Sequence, residues 1–231
     1  MGNPVTLFIS ETFTSIQGEG LLTGVSSVFL RTSGCNLRCR WCDTPYTSWE
    51  PTGRRETLAD LMAIVEASPA RHVVITGGEP MLQAGIEPLT AELSAAGYHI
   101  TIETAGTIFR PVAVDLLSIS PKLSDSTPAE PARIAVRHER DRLNLSVLQQ
   151  LIAYAPHQLK FVAASQADID EVAALVSQLE VAPDRVMLMP EGRTVAEIDA
   201  HLPVLIPACN ANGWRLCDRL HLRLFGNTPG T

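Results

Sequence analysis

Ser27-Val-Phe-Leu-Arg31-Thr-Ser-Gly-Cys35-Asn-Leu-Arg-Cys39-Arg-Trp41-Cys42 begins as a short strand and runs straight into a loop with three cysteines. The same grammar of strand, motif and helix recurs downstream. Residues 72–76 are a β-branched run that stops at Gly77-Gly78-Glu79-Pro80, and residues 98–103, 116–120, 158–162 and 185–189 read as further strands. Residues 57–67, 86–96, 145–154 and 167–179 read as helices between them. In the first, Leu58, Leu61, Met62 and Val65 recur at helical spacing behind a Thr cap, and Pro88 falls in the first turn of the second.

Strands alternating with helices predict a parallel sheet with helices packed outside it. A full eight-stranded barrel takes about 250 residues. This chain has 231 and spends residues 44–55 and 124–142 on loops. The expected fold is therefore α/β, an incomplete TIM-like βα barrel, with residues 1–231 as one domain. Its motifs fall at the C-terminal ends of strands, where barrel enzymes keep their sites.

Composition narrows the function classes. Hydrophobic residues make up 45% and charged residues 19%, too apolar for a disordered chain. The formal charge of −7 gives no grip on a phosphate backbone, so nucleic acid is not an expected partner. No basic segment leads into an apolar run near the start, and no stretch approaches the roughly 20 apolar residues that span a bilayer, so a cytoplasmic protein without a membrane partner is expected. Five cysteines, at 35, 39, 42, 209 and 217, are not distributed like a secreted disulfide framework. The first three read as metal chemistry. Zinc would want a closed set of four, with Cys209, Cys217 or a histidine as the fourth ligand. A cubane iron–sulfur cluster on three cysteines would leave one iron open. Spacing alone leaves both readings standing.

The pattern Cys35-x3-Cys39-x2-Cys42, with Trp41 before the last cysteine and Gly77-Gly78-Glu79-Pro80 closing the next strand, resembles the radical S-adenosylmethionine (SAM) superfamily. Thr14-Ser-Ile16-Gln17-Gly18-Glu19-Gly20, Trp41-Cys42-Asp43-Thr44, Glu103-Thr104-Ala105-Gly106, Ser120-Pro121-Lys122 and Leu224-Phe225-Gly226-Asn227 extend the likeness over essentially the whole chain. Within the superfamily these stretches resemble the 7-carboxy-7-deazaguanine synthase family. The resemblance implies a [4Fe-4S] cluster on Cys35, Cys39 and Cys42, whose open iron chelates SAM and drives its cleavage to a hydrogen-abstracting deoxyadenosyl radical. It implies conversion of 6-carboxy-5,6,7,8-tetrahydropterin to 7-carboxy-7-deazaguanine with loss of ammonia, a carbon–nitrogen lyase reaction of queuosine biosynthesis.

Carried onto this sequence, the resemblance puts Ile16, Gln17, Gly18, Arg31, Thr76 and Thr231 at the pterin, with Arg31 suited to its carboxylate by the planar guanidinium fork. Trp41, Gly78, Glu79, Glu103, Ser120, Pro121, Lys122 and Met189-Pro190-Glu191-Gly192 would surround SAM. Thr44 would give Mg2+ a hard oxygen ligand. A homodimer and an electron donor such as flavodoxin or ferredoxin are also implied, and the chain's end is expected to fold over the pterin. Two departures stand out: Met189-Pro190-Glu191-Gly192 replaces the family's usual Gln-Pro segment, and Ala105 stands where Asn is common. The expected rivals are a glycyl-radical-enzyme activase, with the same cysteine spacing, and a zinc-stabilised binding module without catalysis. Residues 220–225 alternate as a strand would.

Overall fold

Two antiparallel strands, β1 (Thr6–Ile16) and β2 (Ser26–Thr32), start the sheet; on the β2 side every added strand is parallel, and one short strand, residues 54–57, adds antiparallel to the outer edge of β1. The computed structural model describes residues 4–231, so the first three residues of the expected domain lie outside it. After β2 come α1 (Pro45–Ser48), β3 (Arg54–Thr57), α2 (Leu58–Glu66), β4 (His72–Gly77), α3 (Ile86–Ala95), β5 (His99–Thr104) and β6 (Leu116–Ile119). Then follow α4 (Ala132–Asp141), α5 (Leu145–Tyr154), β7 (His157–Ala163), α6 (Gln166–Leu179), β8 (Val186–Pro190), α7 (Val195–Asn212), β9 (Arg215–Leu216) and α8 (Leu220–Phe225).

The nine strands lie in the order β3-β1-β2-β4-β5-β6-β7-β8-β9, and β3 and β9 do not meet. The sheet is a barrel left open, as expected. Its central strands read as near-continuous apolar runs because both faces are covered. Leu30, Ile75, Ile102, Leu117 and Phe161 are fully buried against Leu61 and Val65 of α2, Ile86, Leu89 and Leu93 of α3, and Leu148 and Leu151 of α5. Among the described residues no helix is long and apolar enough to cross a membrane.

Three local expectations are corrected. Residues 220–225 form a helix: the segment has no β-branched residue, Leu and Arg favour helix, and Arg223 ties it to Asp218 and Asp199. Residues 124–142, expected as loop, contain α4. That helix lacks an apolar stripe and is laced by Arg137–Asp141 and Glu139–Arg142 pairs, with His138 its one fully buried side chain. Residues 44–55 hold α1 and the start of β3, which pairs with β1.

One buried polar contact stitches three core strands together. His72 of β4 is 4% exposed and lies between the Ser27 hydroxyl of β2 at 2.7 Å and the Thr101 hydroxyl of β5 at 2.8 Å. Burial, then the neighbouring His99, pushes its imidazole down to about 4. Below pH 6.5 the unfolded chain therefore binds a proton that the folded chain refuses, so stability is lost as pH falls from 6.5 through about 4. Urea unfolding across that window is expected to show a falling midpoint, and His72→Asn is expected to flatten part of the slope.

Candidate active site

The C-terminal ends of β2, β4, β5, β6, β7 and β8 surround one cavity of about 470 Å³. β2 brings Arg31 and then the cysteine loop, and Cys35, Cys39 and Cys42 all line the wall with Trp41 and Thr44. Backbone packing explains the Gly77-Gly78 pair. Gly77 has φ +124°, and a Cβ there would stand 2.1 Å from the Thr32 carbonyl oxygen. A Cβ on Gly78 would stand 2.2 Å from the Gly34 carbonyl oxygen and 2.7 Å from that of Thr47. The glycines let the end of β4 lie flat against the cysteine loop, and the Glu79 N–H seals the contact by donating to the Gly34 carbonyl at 2.9 Å. The space left by the missing Cβ atoms is filled by protein.

The donor set suits an iron–sulfur cluster. Burial pushes the Cys35 thiol up to about 12 and, against the nearby Lys122 ammonium, the Cys39 thiol up to about 11, and the loop presents three soft donors in one wall of the cavity. Among the described residues no three His, Cys, Asp or Glu side chains gather tightly enough for a single bare ion. A cubane does not ask for that, since each cysteine takes a different iron. The two cysteines considered as a fourth zinc ligand are elsewhere: Cys209 is buried in the main core, and the Cys217 sulfur accepts from the Gly20 N–H at 3.1 Å outside the cavity wall.

Most of the residues expected to touch ligands line this cavity. Ile16, Gln17, Gly18, Arg31, Thr76 and Thr231 are in its wall, with Gly78, Glu103, Ser120, Lys122, Met189, Pro190, Glu191 and Gly192. Ala105, at the position of the family's Asn, lines it too. Pro121 and Glu79 do not. Glu79 is fully buried and turned into the protein, accepting from the Met81 and Ala105 N–H groups at 3.0 and 2.8 Å and from the Thr104 hydroxyl at 2.8 Å. Burial raises its carboxyl above the usual range against those three donors.

Glu103 connects the two halves of the cavity. It accepts from Gln17 Nε2 at 3.2 Å and from the Thr76 hydroxyl at 2.8 Å, so an expected SAM residue sits between two expected pterin residues. Arg31 donates through Nε to Glu11 at 2.6 Å, and Tyr46 donates to the same carboxylate oxygen at 2.8 Å. The Arg31 terminal nitrogens have no protein acceptor in hydrogen-bond range among the described residues. Lys122 Nζ donates to the Ser120 hydroxyl at 2.7 Å and lies 5.5 Å from the Trp41 ring centre.

A charge network in the cavity wall was not foreseen. Glu19 ion-pairs with Lys160 of β7 and, at 3.1 Å, with Arg219, which also grips Asp43 of the cysteine loop. Burial alone would raise the Glu19 carboxyl, but the Lys160 ammonium and the Arg219 guanidinium hold it far below the usual range. His221 joins at 4.0 Å, packs against Gly18, and is kept below the usual imidazole range by burial. The sequence carried a signal in Lys160, a lysine inside the apolar run of β7. Glu19→Gln strands Lys160, whose side chain is only 6% exposed, and leaves Arg219 with Asp43 alone; removing one partner of such a buried set costs about 3–5 kcal/mol. Chemical denaturation of the parent and Glu19→Gln is expected to show a loss of that size.

Comparison with known proteins agrees with this geometry. The Radical SAM superfamily model matches residues 29–123, which run from β2 past the cysteine loop to Leu123. The chain is 51% identical over 229 residues to the 7-carboxy-7-deazaguanine synthase of Rhodopirellula baltica, covering 98% of this chain and 89% of that one. It is 42% identical to the enzyme of the same name from Halobacterium salinarum, over 100% of this chain and 95% of the relative. The crystal structure of QueE from Escherichia coli superposes with a TM-score of 0.70 at 26% identity, covering 94% of this chain and 95% of that one. By these likenesses over almost its whole length the chain belongs to the 7-carboxy-7-deazaguanine synthase family, radical SAM enzymes with a [4Fe-4S] cluster and SAM as cofactors.

Proposed function

We propose that the chain converts 6-carboxy-5,6,7,8-tetrahydropterin to 7-carboxy-7-deazaguanine with loss of ammonia, as a carbon–nitrogen lyase of queuosine biosynthesis. The observation that carries the reading is a single cavity shared by the three-cysteine loop and by Arg31 with free terminal nitrogens, flanked by Gln17 and Thr76. An activase would need room for a protein substrate and would have no use for that guanidinium.

Cys35, Cys39 and Cys42 would hold the cluster, which supplies the electron for SAM cleavage and so the hydrogen-abstracting radical. Gly78, Glu103, Ser120, Lys122, Trp41 and Met189 to Gly192 would surround SAM, with Glu79 and Pro121 acting behind the wall. Arg31 can pair its terminal nitrogens with the pterin carboxylate while Glu11 fixes its Nε edge. Gln17 and Thr76, both fastened to Glu103, would face the pterin ring beside Ile16 and Gly18. Thr231 and the turn before it border the mouth and would cover the bound ring. Thr44 offers Mg2+ one hydroxyl oxygen, and because Arg219 already holds Asp43, the other ligands would come from substrate and water, which suits this ion.

One unit over residues 1–231, with its cluster loop at 35–42, would carry the whole reaction. It would work in the cytoplasm as a homodimer, reduced by a one-electron carrier such as flavodoxin or ferredoxin, with no nucleic-acid or membrane partner.

Anaerobically purified chain, given SAM, a reductant, Mg2+ and the carboxypterin, is expected to release 7-carboxy-7-deazaguanine and ammonia. Cys39→Ala is expected to lose iron and turnover together, whereas Cys209→Ala keeps both. SAM cleavage without deazaguanine formation would refute the substrate.

Arg31→Lys keeps the charge and loses the fork, so it is expected to weaken the carboxypterin at least tenfold and leave SAM affinity nearly unchanged. Equal weakening of both ligands in an anaerobic titration would remove Arg31 from the pterin side.

A further inference from the structure

The main-chain carbonyl of each cluster cysteine is capped by a side chain from a different place. Arg38 Nη1 donates to the Cys35 carbonyl at 2.7 Å and to that of Leu37 at 2.7 Å. Trp49 Nε1 donates to the Cys39 carbonyl at 3.1 Å. Arg193, from the loop between β8 and α7, donates through Nη2 to the Cys42 carbonyl. Arg38 is fixed in turn by α4, whose His138 accepts from the Arg38 N–H through Nδ1 at 3.0 Å and meets the Ser126 hydroxyl with Nε2 at 2.9 Å. The loop is thus held at both ends and in the middle by groups outside the cluster ligands.

The two guanidiniums differ from the other arginines nearby. Arg40 pairs with Asp125 and Glu191, Arg31 with Glu11, and Arg219 with Glu19 and Asp43. Among the described residues neither Arg38 nor Arg193 has a carboxylate at ion-pair distance. Both direct their donors at carbonyl oxygens of the cysteine loop instead; Arg193 feels the Glu197 carboxylate only from beyond ion-pair distance, so two positive charges stand there without a directly paired counter-charge. Reduction of a cluster bound by three thiolates adds negative charge to a centre already anionic. Net charge and hydrogen bonding around a cluster are among the factors that set its potential. From this placement we infer that Arg38 and Arg193 are positioning residues that hold the cysteine carbonyls and, through their uncompensated charge, ease entry of the electron by raising the cluster's reduction potential. The inference rests on the cluster reading of the loop. Arg38, half buried, has the larger influence, because solvent screens the charge of the exposed Arg193.

The test uses full-length chain loaded with iron and sulfide under anaerobic conditions: parent, Arg38→Gln, Arg193→Gln, and the corresponding Lys variants. Iron per chain is measured first, then the cluster midpoint by potentiometric titration followed by electron paramagnetic resonance. Each Gln variant that holds iron is expected to titrate at a more negative potential, Arg38→Gln more so than Arg193→Gln. Lys, which restores the charge without the fork, is expected to recover most of the shift. If Arg38→Gln holds no iron, the exposed Arg193→Gln decides the question alone. Parent-like midpoints in iron-loaded Gln variants overturn the inference. So do equal shifts in Gln and Lys variants, or loss of iron in both Gln variants, each of which reduces the arginines to scaffolding. A parent chain that takes up no iron would instead defeat the cluster reading itself, and that failure shows before any midpoint is measured.

Discussion

The carboxylate of Glu19 lies at the centre of an open barrel and is gripped by cations from two distant parts of the chain, Lys160 on β7 and Arg219 just before α8. Backbone hydrogen bonds cannot close this sheet, because its outer strands β3 and β9 do not meet. The segment after β1 crosses the gap instead. Glu19 takes the two cations, the Gly20 N–H donates to the Cys217 sulfur, and the Leu21 N–H donates to Gln158 of β7 at 2.8 Å. Burying these charges is costly, and their mutual attraction mostly offsets that cost rather than adding stability. What the network contributes is register. Through Arg219 it also fixes Asp43, so the far end of the cysteine loop is set by the same carboxylate that spans the barrel.

The near end of that loop is set by contacts of another kind. Gly77 and Gly78 bring the end of β4 within backbone contact of Thr32, Gly34 and Thr47, where any side chain would push the loop away. Glu79 continues the same device one residue on, spending its buried carboxylate on backbone donors at Met81 and Ala105. The glycine-rich motif therefore builds the ledge on which the cysteine loop rests, with Gly77 and Gly78 themselves facing the cavity. Substitution there would be felt first in the position of Cys35.

The parallel strands and four helices, α2, α3, α5 and α6, were legible because burial on both faces leaves apolar runs, and because Thr57 marks a helix start by capping. β1 escaped notice because much of it is only half buried, so its alternation is weak. α4 was hidden for a related reason: the one fully buried side chain it presents is a histidine set among charged residues, which periodicity of apolar residues does not register. α8 was misread because three alternating leucines mimic a strand, although only Leu222 is buried. In the site, the cysteines and glycines were readable because their chemistry is local. The Glu19–Lys160–Arg219 network was not, because its members are separated by 141 and 200 residues and no spacing rule joins them.

Net charge says little about the field inside this cavity. The chain carries −7 overall, yet Arg31, Lys122, Lys160, Arg193 and Arg219 all line the wall. Their charges are not equally available. Lys160 and Arg219 are consumed by Glu19 and Asp43, and Arg31 is half committed to Glu11. Lys122 rests on a serine hydroxyl and the Trp41 ring, while Arg38, just behind the wall, and Arg193 rest on cysteine carbonyls. The uncompensated positive charge is therefore concentrated around the three cysteines, and the opposite side of the cavity is close to balanced. A carboxylate binding by Arg31 would therefore depend on the geometry of hydrogen bonds more than on the field.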